Sequence, residues 1–416
     1  MLEQALGDLG IRAEPAPVEP VPLAARLPVG KLAAEAVAFA AMAGGSPMAG
    51  PDRIATAYTS ERHFRVSGEP PPVWAPLSGF WPARDGWLRT HANYPHHRDR
   101  LLAALGIPDS AAALRARLAE LPALEAEELV VGAGGIAAAV RTEQQWAEHP
   151  HGSVVGSLPL LAVSPGQPGP PRPVAGARVV DLTRVIAGPV ATRTLALWGA
   201  DVLRIDPPAL PEIEWQHLDG GAGKRTARLD VRSPRFAELV AQADVLVHGY
   251  RPGALPLAAV LDANPALVVA SLSAWGAAGP WAGRRGFDSI VQAASGIAMI
   301  ESPDGTRPGA LPAQALDHSA GYLLAGAVAV LLGRGGGWTV STSLARVAHE
   351  LLHADRSVQP RTSTFEPTTI THGRLTYARP ALHADDFRFP PHPWGTDEPN
   401  WSQDGVLEAG PRSSSA

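Results

Sequence analysis

From Ala177 onward, short apolar runs alternate with amphipathic stretches. ARVVDL (177–182), DVLRID (201–206), DVLVHG (244–249), ALVVASLS (266–273) and WTVSTS (338–343) read as strands. GPVATRTLALWGAD carries Pro189 at a helix start and Gly199 just past its end. SPRFAELVAQAD (233–244) reads as a helix capped by Ser233 with Pro234 in its first position. LARVAHELLHAD (344–355) is a further helix. Strands that are apolar throughout, alternating with helices, pack as a parallel sheet with helices on both faces. Right-handed crossovers follow.

The pattern before Ala177 is less regular. LPVGKLAAEAVAFAAMAG reads as an apolar helix, and SAAALRARLAELPALEAEELV as two amphipathic helices broken at Pro122. Between them lies a Trp-, Pro- and Gly-rich stretch that suits short strands and turns. The expected organisation has five parts. These are an extension and linker (1–23), a small α+β region (24–163), a Pro/Gly linker (164–176), an α/β domain (177–356), and a closing segment with a disordered tail (357–416). The fold class is α/β: a Rossmann-like large domain plus a smaller α+β domain.

Composition narrows the function classes. With 45% hydrophobic and 18% charged residues, the chain of 416 buries a sizeable core. A net charge of −5 gives no reason to expect nucleic acid or an anionic membrane as partner. Cysteine is absent, which removes thiolate catalysis and thiolate metal sites and fits a reducing, cytoplasmic setting. The first residues lack the basic start of a signal peptide. The longest apolar run, Ala320–Leu332, is shorter than the ~18 residues of a membrane span.

One carboxylate stands out. In PGALPAQALDHSAGYLLAGAVAVLL (308–332), Asp317 lies where an apolar loop meets a long apolar helix. It can cap the helix, or serve as a nucleophile kept ionised by the helix dipole. The loop after the first strand, RVIAGPVATR, is not G-x-G-x-x-G, and no phosphate-cradling P-loop occurs, so NAD and P-loop chemistry are disfavoured. His349, Glu350 and His353 match H-E-x-x-H on a helix, with Glu366 and His372 as the only further ligand candidates. The plain reading of that match is the polar side of an amphipathic helix, and no metal is expected. Gly335–Gly337 reads as a helix end and loop.

Five segments in register, 179–206, 223–230, 243–255, 264–296 and the start of 308–332, resemble the family III CoA-transferases, which include the α-methylacyl-CoA racemases. The resemblance implies acyl-CoA and a carboxylic-acid acceptor as partners, no permanently bound cofactor, and a homodimer. It implies that Asp317 attacks the acyl-CoA, forming a mixed anhydride and then an aspartyl-CoA thioester. Implied CoA contacts are Val185 and Ala187, the basic pair Lys224 and Arg225, Tyr250 on the adenine, and Arg285 near the pantetheine or pyrophosphate. Pro207 and Gly249 stand where the family often has Arg and Asn. Phe287 replaces the histidine base of the racemases, and phenylalanine moves no proton, which favours transfer over racemisation. WAPLSGFWPARDGWLRTHANYP resembles small-domain sequence placed ahead of the sheet, and SGEPPPVWAP (67–76) stands in for the family's glycine flap. The rivals are an acyl-CoA binder without turnover and, from the H-E-x-x-H match, a zinc hydrolase.

Overall fold

The computed structural model describes residues 1–12, 18–251, 253–357, 364–382 and 387–402. Seven strands form its main sheet: β1 (Ala162–Pro165), β2 (Arg178–Leu182), β3 (Asp201–Asp206), β4 (Arg225–Arg228), β5 (Val245–His248), β6 (Val268–Ser273) and β7 (Trp338–Ser343). Their order is β1-β7-β6-β5-β2-β3-β4. Every neighbour is parallel except β1, which runs antiparallel to β7 along one edge. The six parallel strands follow the doubly wound order, and the winding reverses between β2 and β5. In such sheets ligands sit at that reversal, outside the carboxyl ends of the strands.

Successive strand residues face opposite sides. Val179, Val245, Val268 and Val340 enter one core, and Val180, Leu203, Leu246 and Val269 the other. The expected α/β architecture is therefore the one found.

The larger core holds helices α1 (Val29–Gly44), α2 (Ala187–Leu197), α3 (Asp288–Ala294), α4 (Ala315–Arg334) and α5 (Leu344–Leu352). Helix α4 packs against both α1 and α2, which is why it is apolar all round. By length and composition it could cross a membrane, yet 94% of its most apolar window is buried inside the protein. Close packing fixes Gly321: a Cβ there would lie 2.5 Å from the Ala187 carbonyl oxygen.

The expected linker is not a free connector. Ser164 and Pro165 belong to β1, paired with Thr339 and Trp338. The Gly166 N–H donates to Gly337 O (2.7 Å), and the Gly337 N–H donates to Gln167 O (2.8 Å). Gly335 and Gly336 have φ of 81° and 75°, the left-handed region glycine tolerates, so the triple glycine is the helix end and loop expected. Nor does region 24–163 stand apart as one unit, because α1 lies in the core of the sheet. The separate small core centres on Trp81, Leu88, Leu101, Leu114 and Val130, around a sheet of Gly79–Pro82, Trp87–Thr90 and Ala137–Ala139. Arg65–Val66 pairs instead with Leu375–Ala378 from the closing segment. The tail GPRSSSA lies outside the described residues.

Candidate active site

Helix α4 ends just before β7 begins, so it runs back along the sheet and its first turn returns to the strands' carboxyl ends. That places Asp317 on the ligand side, in the first turn beyond the N-cap Gln314. Asp317 does not cap the helix; its side chain makes no cap hydrogen bond. The cap comes from Asp288, the first residue of α3. Its Oδ2 accepts the N–H groups of Leu316 (2.9 Å) and Asp317 (3.0 Å). Gln292 Nε2 donates to Asp288 Oδ1 (2.5 Å), while Gln292 Oε1 accepts the Leu311 N–H (2.9 Å). The sequence offered Asp288 in RRGFDSI, but no local spacing ties it to a helix 27 residues on.

Both carboxyls are buried, Asp317 at 6% and Asp288 at 0% exposure. Burial, and then the charge of Asp288, push the Asp317 carboxyl well above the usual carboxylate range. Burial pushes Asp288 up to about 6 against its three N–H donors. A helix N-terminus favours an anion by only ~0.3–1 kcal/mol, rising to ~2 in partly buried sites. Full burial shifts a carboxyl by up to ~3–5 units, each about 1.4 kcal/mol. Burial therefore wins: where the sequence suggests a helix end that keeps Asp317 ionised, the surroundings raise its carboxyl instead.

Burial acts on neighbouring groups as well. His318 is buried, stacks on Tyr58 (centroids 5.0 Å apart), and is pushed down to about 3 by burial and then Arg193. Burial raises Glu61 to about 7, with Asp219 and Asp288 adding to the rise. Asp219 is likewise raised by burial and accepts the Ser60 hydroxyl (2.6 Å).

The crest loops come next. Val185, after β2, has φ of 70°, rare for a β-branched residue. Its N–H donates to Glu212 Oε2 (3.2 Å), and Glu212 is held by Arg204 (3.2 Å) and the Tyr94 hydroxyl. Such strain persists only where the surroundings enforce it. Ala187 opens α2, and its carbonyl packs against Gly321, one helical turn beyond Asp317. Val185 and Ala187 thus lie on the loop beside the first turns of α4. Tyr250 follows β5 across the reversal and is partly buried.

Arg285 Nη1 donates to Gly134 O (3.3 Å), the oxygen that also accepts Arg100 Nη1 (3.2 Å). Burial, then the charges of Arg251 and Arg100, lower its pKa. Among the described residues, no carboxylate lies within ion-pair distance of Arg100, Arg251 or Arg285. Arg184 lies 3.3 Å from Asp206 at the end of β3, bringing a cation beside the turn where Pro207 stands. Arg100 and Arg184 were missed as candidates because neither belongs to a recognisable motif.

Lys224 and Arg225 depart from expectation. Lys224 is 2% exposed, and its ammonium donates to Asp181 Oδ2 (3.1 Å), Pro189 O (3.2 Å) and Thr192 Oγ1 (2.8 Å). Those three acceptors use all three donors, leaving none for a phosphate. Arg225 grips Asp201 with Nη2 (2.8 and 2.9 Å) at the amino ends of β3 and β4, the end opposite the crevice. Both are framework cations.

Phe287 stacks on His91 of the small sheet region, centroids 3.8 Å apart. Asn93 ties down the 67–76 stretch, accepting the Ala75 N–H and donating to Val73 O (both 3.1 Å). In the H-E-x-x-H helix, Glu350 is ion-paired with Arg346 (2.7 Å), and the two histidine rings lie 3.9 Å apart. His372 bonds Tyr377 on another sheet (3.1 Å). Among the described residues no group of three or more His, Cys, Asp or Glu could hold a metal.

Fold and crest define a doubly wound α/β protein with a buried carboxylate at a helix start and unpaired arginines along the rim. Residues 174–380 match the model of CoA-transferase family III, and through this segment the chain belongs to that family. Similar curated proteins include acetyl-coenzyme A transferase nodX of Hypoxylon pulicicidum, 39% identical over 31% of this chain and 24% of that protein. The probable fatty acyl-CoA transferase Rv3272 of Mycobacterium tuberculosis is 31% identical over 39% of this chain and 47% of its own. Human succinyl-CoA:glutarate CoA-transferase is 30% identical over 33% and 37%. The matches thus span less than half the length of these relatives. The solved orthorhombic structure of Rv3272 aligns over 44% of this chain and 56% of that one, with 32% identity and a TM-score of 0.40.

Proposed function

We propose that the protein transfers CoA between carboxylic acids, with Asp317 as the nucleophile. The observation that carries this reading is the Asp317–Asp288 pair. One carboxylate caps the helix and fixes its first turn, which frees the other from capping and leaves it with a buried carboxyl at the ligand end of the sheet. Asp181, Asp201, Asp206 and Asp244 at the strand ends have cationic partners; Asp317 has another acid.

In the proposed cycle Asp317 loses its proton, and its oxygen attacks the thioester carbon of acyl-CoA. The C–S bond breaks and CoA leaves as thiolate. The thiolate attacks the Asp317 carbonyl of the anhydride, the C–O bond breaks, and the donor acid departs as carboxylate. The acceptor carboxylate then displaces thiolate from the aspartyl thioester, giving a second anhydride. Thiolate attacks the acceptor's acyl carbon, releasing acyl-CoA and regenerating the Asp317 carboxylate. Arg100, Arg251 and Arg285 supply charge for the CoA phosphates, and Tyr250 a face for the adenine. CoA is substrate here, not a resident cofactor. A homodimer and a cytoplasmic setting belong to the same reading, from the family resemblance and the absence of cysteine; light scattering on the purified chain tests the first.

Intact-protein mass spectrometry with a panel of acyl-CoAs is the direct test. Turnover should leave an acyl or CoA adduct that hydroxylamine removes, mapping to Asp317 and absent in Asp317→Asn. CoA binding without an adduct would instead assign the chain to acyl-CoA binding without transfer.

A further inference from the structure

The small sheet turns one face away from its own core. Trp81, Leu88 and Ala137 enter that core, so Phe80, Arg89 and Ala138, one step along in register, face the other side. There Ile136 and Ala138 pack with Ile290 and Ala293 of α3 in the main core. His91 continues this face. Its N–H donates to Ile136 O (3.0 Å), and its ring stacks on Phe287, the residue before Asp288. The face therefore leads from Arg89 through His91 and Phe287 to the contact of Asp288 with the Asp317 N–H (3.0 Å).

Arg89 stands out on it. It is 7% exposed, and its guanidinium lies between the rings of Trp74 (4.6 Å) and Phe80 (4.9 Å). Among the described residues no carboxylate pairs with it and no oxygen accepts from it. Nε is closed off without a partner, whereas Nη1 and Nη2 stay open. Arg141, Arg204 and Arg346 are buried alike, but Glu127, Asp206 and Glu350 answer them. With nothing to offset it, burial lowers the Arg89 pKa to about 10. A buried cation without a counter-charge is costly until an anion completes it. The two rings fix the guanidinium plane, which leaves its edge for a bidentate acceptor. Trp74, 41% exposed, also meets His91 edge-on (6.1 Å), so this edge lies at the surface beside the Asp317 site.

We propose that Arg89 sets the specificity of the transfer: its Nη atoms hold a second carboxylate, at the far end of the acyl group, so the acids exchanged are dicarboxylic. The reacting carboxyl meets Asp317, and the CoA phosphates meet Arg100, Arg251 and Arg285; Arg89 belongs to neither set. The inference rests on the transferase reading for its chemistry, but binding alone can test it.

Glutaryl-CoA and valeryl-CoA share a chain length and differ by a carboxylate in place of a methyl group. Titration calorimetry of the full chain carrying Asp317→Asn compares them without an adduct, with free CoA as control. Glutaryl-CoA should bind at least about tenfold more tightly, the worth of one charge-assisted contact. Adding Arg89→Met should remove that preference, leaving valeryl-CoA and CoA within a few-fold. Its melting temperature should be no lower, since an uncompensated buried charge is lost. Arg89→Lys keeps the charge without the fork and should hold an intermediate preference. Equal binding of the two thioesters overturns the proposal. So does an Arg89→Met chain that keeps the preference, or one that melts lower and weakens both thioesters alike, which marks a framework arginine. The two readings fail separately. A glutaryl preference in a parent that never forms an adduct removes the transfer and keeps the Arg89 site, while adducts without the preference do the reverse.

Discussion

Asp181 and Asp317 are two buried aspartates in one fold, and they are treated in opposite ways. Asp181 accepts hydrogen bonds from the Thr183 N–H (2.9 Å), the Thr192 hydroxyl (2.6 Å) and the Lys224 ammonium (3.1 Å). Burial works against its charge, but Lys224, Arg204 and the two threonines outweigh it and hold the carboxyl below its usual range. Asp317 has comparable burial and only a second acid to answer it. The first arrangement is an ion pair that locks α2 onto the sheet. The second keeps a carboxyl at high energy when ionised, which suits a group that must later react.

The sharpest break of the comparison is Asp317→Asn. Adduct formation and transfer should fall by roughly 10³-fold or more, as when a nucleophile is removed. Stability should move the other way. A carboxyl whose native pKa lies above its unfolded value binds its proton more tightly when folded, so native stability falls as pH rises from about 4 through the raised value. Asp317→Asn removes that loss, so its denaturation midpoint relative to the parent's should rise as pH rises above about 4, until the raised value is passed. Asp181 has the opposite sign: its contribution is present above about pH 4 and is lost on further acidification. A midpoint difference that is flat with pH would contradict the raised Asp317 carboxyl.

Lys224→Met is the matching break on the framework side. It strands Asp181 in the core, and removing one member of a buried pair costs about 3–5 kcal/mol. Chemical denaturation should show this loss. Protein that remains folded should still form the Asp317 adduct at a rate within a few-fold of the parent's. A selective collapse of CoA affinity without a stability loss would restore Lys224 as a ligand contact.

What the sequence made legible follows the same division between local and long-range causes. Strands β3 and β7 fall on the expected residues because their apolar runs are bounded by turn residues. Ser233 caps the Pro234–Ala241 helix as expected, accepting the Phe236 N–H (3.3 Å). Asp317 stands out in the sequence because a carboxylate at the mouth of an apolar helix is conspicuous, and the family resemblance is what gives it a proposed role. Asp288, Arg100 and His91 were not found, because each acquires its role through a contact between distant segments. Lys224 was misjudged for the same reason: a Lys-Arg pair reads as solvated or phosphate-binding until Asp181, 43 residues earlier, closes on it. Strand β1 hid in a Pro/Gly stretch, since an exposed edge strand paired only to β7 needs little apolar character.

A smaller contrast concerns the arginines. Arg285→Met should weaken CoA binding about tenfold, the value of one charge-assisted contact at about 1.4 kcal/mol. Arg225→Met should leave the CoA dissociation constant unchanged, because its guanidinium belongs to Asp201 and the Asn400 carbonyl. Equal losses in both would place the phosphates at the amino ends of the strands and undo the assignment of the crest.

Asp288→Asn is the mildest change and bears directly on the pair. The amide keeps an oxygen for the Leu316 and Asp317 N–H groups but turns its NH2 toward the Gln292 donor, for a stability loss of about 1 kcal/mol. It removes the charge that opposes ionisation of Asp317, so the acid limb of the pH profile for adduct formation should move to lower pH. A purely structural cap would lower the rate alike at every pH and leave the limb in place. Burial is the larger cause of the raised Asp317 carboxyl, so the displaced limb should still lie above the range of an exposed aspartate. If Asp288→Asn instead brought the limb down to that range, the charge of Asp288, not burial, would be what sets Asp317 apart from Asp181.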